Sequence, residues 1–295
     1  MVGSQVGQAS GLGLADEGIG GAESHREEWD SAPQLASGWD HHARHDRRLR
    51  KARLVRALRA REDAARAERE KAYQKSRWDH WGVSLPEMDT AIKETLGDLT
   101  QDEALSLCRR LWREPVWDLK IVAGRILARK TIEPDAKVWA FVTQSLADLD
   151  GWAVADNLAM AASRCLIADP GRLDSVEAWI ESPHLWTRRA ALVFTLPWAK
   201  GERDPERMLS WAARLADGRE WFIQKAVGWW LRELSKRDPE RVRRFLKDYG
   251  RKLTGVAKRE ATKYLTGRET WGGGASDRSG RGGASAPLLA PAKSR

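Results

Sequence analysis

Between residues 43 and 267 the apolar positions recur at three- and four-residue intervals, and no stretch alternates singly as a half-buried strand would. Val138, Phe141 and Val142 set the pattern. Leu173, Val176 and Ile180 repeat it, as do Leu209, Trp211 and Leu215, and then Val242, Phe245 and Leu246. An acid–proline pair stands ahead of each run. Asp169-Pro170, Asp204-Pro205 and Asp238-Pro239 are 35 and 34 residues apart, and Glu133-Pro134 lies 36 before the first. Such a pair predicts a helix start, because the carboxylate caps exposed N–H groups and a first-turn proline gives up no hydrogen bond. Thr100 with Glu103 reads as a capping box at the head of the preceding unit.

A second helical segment follows every start. A two-helix unit repeating at about 35 residues predicts an all-α, HEAT-like helical-repeat solenoid of about twelve helices in antiparallel pairs, without a sheet. Stacked pairs of this kind line a concave groove with the second helix of each unit, so candidate chemistry belongs on those helices.

Composition changes this picture mainly at the ends. The chain is 42% hydrophobic and 32% charged, as expected of a soluble globular protein. Residues 1–42 and 268–295 are rich in Gly, Ser and Ala without sustained periodicity, and both read as disordered tails around a single repeat domain, 43–267. Cys108 and Cys165 are too far apart for a redox or zinc pair, and no metal site is expected. No run approaches the ~20 apolar residues that span a bilayer, and no leader pattern opens the chain; a cytoplasmic monomer, nucleoid-associated when on DNA, is the expectation.

Charge points to a polyanion. The net +9 is unevenly spread: residues 1–42 hold one Arg against seven carboxylates, and residues 43–77 hold fourteen Lys and Arg against five acids. A basic stretch of this density attracts phosphate backbones, although a solvated helix would carry it as well.

Sixteen tryptophans are many for this length, and most are expected in the core. Repeat phase singles out a few positions. Trp152 and Asp156 lie 18 and 22 residues after Pro134, Arg189 lies 19 after Pro170, and Trp229 lies 24 after Pro205. All four fall on second helices, and Trp152 and Asp156 share a face at i, i+4. Indole faces attract cations such as an N3- or N7-alkylated purine, and a carboxylate stabilises the sugar cation left when that base departs. Arg189 suits a phosphate. The residues alone leave a second possibility open, in which Asp156 pairs with a nearby Arg and the tryptophans are packing.

The wording of the chain goes further. Trp221-Phe222-Ile223-Gln224-Lys225-Ala226-Val227-Gly228-Trp229-Trp230-Leu231-Arg232-Glu233 resembles the [FW]-F-I-Q-K-A-[IV]-G-W-x-L-R-E block of the AlkD-like DNA alkylation repair family. Trp186-Thr187-Arg188-Arg189-Ala190-Ala191 is similar to its W-x-x-R-A-A block, and Trp152 to Asp156 to its W-x-x-V/A-D element. His80 to Glu87 and Lys258-Arg259-Glu260-Ala261 are similar to its first and last elements. The resemblance implies a monofunctional glycosylase that removes alkylated purines from double-stranded DNA without metal or organic cofactor. It further implies Asp156 as the catalytic carboxylate, Trp152 and Trp229 as walls around the lesion, and Arg189, with Arg188 as the adjacent candidate, as the groove arginine. Lys225, Lys258, Arg259 and Lys263 are the expected DNA contacts. A non-catalytic DNA-binding relative and a HEAT-type interaction scaffold are the alternatives.

Overall fold

The computed structural model describes residues 39–265, with side chains from Arg48 onward. The expected tails, but for residues 39–42, lie outside the described residues. Among the described residues the chain is all-helical, and an isolated bridge between Asp79 and Val116 is the nearest approach to a strand. The all-α, HEAT-like reading of the sequence therefore holds. The chain divides into two compact units between Asp148 and Leu149.

The first unit holds α1 (Trp39–Arg59), α2 (Ala64–Gln74), α3 (Leu85–Thr95), α4 (Gln101–Trp112), α5 (Trp117–Leu127) and α6 (Ala136–Gln144). A 3-10 turn, Ser145–Asp148, follows. Local chemistry explains the starts. Ser84 and Glu87 form a capping box on α3, and Thr100 and Glu103 form the expected one on α4. The start of α6 is displaced from its expected mark: Asp135, one residue past Pro134, accepts the Val138 N–H at 2.9 Å and is the cap. Leu54, Leu58, Met88, Leu111, Val122 and Phe141 fill the core with no exposed surface.

Gly82 joins this unit's first turns. Its φ is +73°, and an added Cβ would stand 2.2 Å from the Asp63 carbonyl and 2.7 Å from the Ala67 nitrogen. Only glycine fits both the left-handed backbone and that close approach. The loop around it is held by the buried Asp118, which accepts the Trp81 and Val83 N–H groups at 2.8 and 2.9 Å. Burial pushes the Asp118 carboxyl up to about 6 even so.

The second unit holds α7 (Trp152–Ala168), α8 (Leu173–Ala178), α9 (Leu185–Val193), α10 (Leu196–Lys200), α11 (Glu206–Arg214), α12 (Trp221–Ser235), α13 (Pro239–Tyr249) and α14 (Gly255–Thr262). Asp238 caps α13 by accepting the Arg241 N–H at 2.9 Å, with Pro239 in the first turn. Asp204 accepts the Glu206 N–H at 3.2 Å, and Asp169 caps the 3-10 turn Pro170–Arg172. The predicted cap is met in full at Asp238; α11 starts one residue late with Pro205 as its uncapped first boundary, and α8 starts only after the 3-10 turn, at Leu173. Trp211 and Trp230 are fully buried, and the Trp230 indole N–H donates to the Thr195 carbonyl at 3.4 Å.

Candidate active site

Three successive second helices, α7, α9 and α12, pack side by side in the second unit. On α7 the buried side is apolar, from Ala153, Val154 and Ala155 to Leu158 and Leu166. The side left accessible carries Trp152, Asp156, Met160 and Arg164 at helical spacing, so the i, i+4 relation of Trp152 to Asp156 places both on one strip. Met160 is 47% exposed, an apolar side chain one turn beyond the carboxylate.

Asp156 and Arg189 meet. Arg189 Nη2 donates to both carboxylate oxygens, at 3.1 and 3.2 Å, and its Nη1 donates to the Phe222 carbonyl at 3.0 Å. One guanidinium therefore ties α7 and α9 to the first turn of α12. Its side chain is 4% exposed against 19% for that of Asp156, and its Nε is buried without a hydrogen-bond partner among the described residues. Burial pushes the Asp156 carboxyl above its ordinary range, and the arginine's charge and hydrogen bonds pull the other way. The ion pair that the sequence left open is present, but it does not bury the carboxylate completely. A phosphate grip by Arg189, as expected from repeat phase, does not match this position, because its charge is turned inward onto Asp156. Arg188 is turned away as well: it donates to the Ser182 and Pro183 carbonyls at 2.7 and 3.0 Å and pairs with Glu220 at 2.7 Å.

The long block on α12 divides by face. Phe222 accepts from Arg189, and buried Gln224 accepts the Thr254 N–H at 3.0 Å, holding the head of α14. Gly228 lets α14 approach, since a Cβ there would lie 2.8 Å from the Ala257 carbonyl and 2.8 Å from Glu260 Cβ. Across that contact Glu260 pairs with Lys225 at 3.2 Å and with Arg232. Trp229 is half-buried and, unlike that of Trp230, its indole makes no hydrogen bond or ring contact with a described residue. No hydrogen bond or ring contact joins it to Asp156, and α9 packs against both of their helices.

Trp221, eight residues before Trp229, was not singled out by repeat phase. It is 49% exposed, lies edge-on to Phe222, and has the Lys225 ammonium 5.3 Å above its ring. Its signal in the sequence is its place at the head of the block. Of the expected basic contacts, Lys225 is half-neutralised by Glu260, Lys258 and Arg259 have no ion-pair partner among the described residues, and Lys263 lies 5.7 Å from the Tyr264 ring. No cluster of three metal-ligating side chains occurs among the described residues, and none of their helices is long and apolar enough to cross a membrane.

The family model described as DNA alkylation repair enzyme matches residues 54–265. A predicted DNA alkylation repair enzyme from Enterococcus faecalis has a similar structure, with a TM-score of 0.60 at 22% identity over 70% of this chain and 97% of that one. AlkD2 from Streptococcus mutans superposes with a TM-score of 0.50 at 20% identity, over 69% of this chain and 98% of that one. At such identities the likeness speaks for the fold. No curated protein matches the chain.

Proposed function

Because the chain belongs to the DNA alkylation repair enzyme family, and so works in alkylation repair on DNA, we propose that it is a DNA glycosylase excising cationic N3- and N7-alkylpurines from the duplex. The observation that carries this reading is the partly accessible Asp156 carboxylate braced from beneath by a buried arginine. A purine alkylated at N3 or N7 already bears positive charge and leaves without protonation. What the reaction lacks is stabilisation of the sugar cation as the glycosidic bond breaks, and a fixed carboxylate in a poorly solvated setting supplies it. Trp152, one turn before Asp156, and Trp229 offer indole faces to the cationic base. Lys258, Arg259 and Lys263 supply phosphate contacts, and water completes the hydrolysis at the sugar.

The test is single-turnover release of 7-methylguanine from methylated duplex, alongside a binding titration. Asp156→Asn removes the charge and keeps the shape, so binding should persist while excision falls on the order of a hundredfold or more. Trp229→Ala should weaken lesion binding and turnover together, because a cation–π wall also acts in the ground state. Release by Asp156→Asn at the wild-type rate would sink the mechanism. Binding without any release by the wild type would assign the chain to non-catalytic DNA recognition.

A further inference from the structure

We propose that the outer face of α1 is an additional duplex-DNA contact, holding backbone phosphates through Arg48, Arg53 and Arg56. From Arg48 onward the cations of α1 fall into two groups. The inner group seats the helix on its own unit: Arg50 pairs with Glu103 at 3.0 Å and Lys51 with Glu114, while Arg61, in the turn just past α1, pairs with Glu94 at 2.6 Å. Arg59 pairs with Glu62 and lies 3.9 Å over the Trp81 ring. Leu54 and Leu58, without exposed surface, complete the inward side.

The outer group is Arg48, Arg53 and Arg56. All three are exposed, and none of their side chains has a hydrogen-bond or ion-pair partner among the described residues. At ~100° per residue they share an arc of about 140°, and from Arg48 to Arg56 they run ~12 Å along the axis. Unpaired like charges on one arc repel and do nothing for the fold, whereas duplex DNA, with a negative charge about every 1.7 Å of axis, presents a matching row of anions.

A cleft beside this row strengthens the match. It is open, of about 410 Å³, and lies between α1 and α4, lined by Arg48, Lys51, Ala52, Val55 and Arg110. An apolar floor with a cationic rim suits a sugar–phosphate edge, with sugar carbons on Ala52 and Val55 and phosphate oxygens on the arginines. Arg48 and Arg53 precede the family match, which begins at residue 54, so this contact extends beyond the shared core. The inference rests on the proposed function only for the identity of the polyanion.

The experiment is binding of the full chain to undamaged duplex across a salt series, for the wild type and the triple variant Arg48→Ala, Arg53→Ala, Arg56→Ala. Alanine keeps exposed helix positions helical. Each lost phosphate contact removes about 0.9 from the salt slope, so from 50 to 200 mM salt the wild type should lose about fortyfold more affinity than the variant. The corresponding triple Lys variant should keep most of the slope, and single-turnover excision at saturating protein should match the wild type. Altered slopes without any excision would leave this contact standing while the glycosylase reading fell. Equal slopes for the wild type and the Ala variant would overturn it, and loss of a self-associated species in that variant would then assign the face to a second copy carrying the acidic residues 1–42.

Discussion

A carboxylate that is to stabilise a developing cation must be ionised, and the surroundings of Asp156 work against that. Burial raises its pKa, and Arg189 opposes the rise from 3.1 and 3.2 Å. Excision should decline as pH falls through the raised pKa, above the range of an ordinary carboxylate. Arg189→Gln removes the opposing charge, so the pKa climbs further and the acidic limb of the pH–rate profile should move to higher pH. Part of the lost rate should return under more alkaline conditions, and Arg189→Lys should shift the limb less. The salt slope of binding should stay as in the wild type, because the guanidinium faces Asp156 rather than DNA. A loss uniform across pH, with a shallower salt slope, would return Arg189 to a phosphate-holding role. Removing a buried charge partner also costs stability, roughly 3–5 kcal/mol, so the profiles are to be compared below the variant's melting transition.

Between α12 and α14 the helices touch backbone to backbone, and Gly228 is the reason they can. Gly→Ala in a helix interior ordinarily stabilises by about 0.5–1 kcal/mol. Here the added methyl meets the Ala257 carbonyl at 2.8 Å and Ala257 Cα at 2.9 Å, neither of which can swing aside. Gly228→Ala should therefore destabilise, by roughly 1–3 kcal/mol, on the scale of overpacked cores. Gly97→Ala, in the loop after α3, is a control for steric room alone, since its Cβ would meet nothing within 4 Å. Urea denaturation of the two variants checks this, and equal midpoints would show that α14 can move off without penalty. The Glu260 pairs with Lys225 and Arg232 cross the same contact, so a displaced α14 would also loosen Lys225 over the Trp221 ring.

On the scale of the whole molecule, the match to the family spans residues 54–265, and the described helices from α1 to α14 extend from 39 to 262. Residues 1–38 and 266–295 have compositions poor in periodic apolar positions, which cannot bury a core of their own. A chain of residues 39–265 should accordingly melt within a few degrees of the full chain and excise at the same single-turnover rate. A markedly lower melting temperature, or lost excision, would make an end segment part of the working protein.

Much of this was already written in the linear order of residues. Helical periodicity, the capping box at Thr100 and the Asp-Pro start at 238 are local effects, decided by neighbours three or four residues away, and each appears where the spacing put it, whereas at 204 the helix begins one residue late, with Pro205 itself in the cap position. The shared face of Trp152 and Asp156 is equally local. At Glu133-Pro134 the same logic was off by two residues, because a better cap, Asp135, stands just beyond the proline. Tertiary structure alone decided depth and partnership. Repeat phase could put Arg189 on a second helix, but not tell whether its charge faced outward or lay beneath a carboxylate 33 residues away. It did set Trp229 apart from the adjacent, fully buried Trp230, but it could not reveal that Trp221 stands half in solvent. Local pattern fixes the turn on which a side chain sits; which neighbour covers it depends on how the helices pack, and that depends on residues as distant in sequence as Gly228 and Ala257.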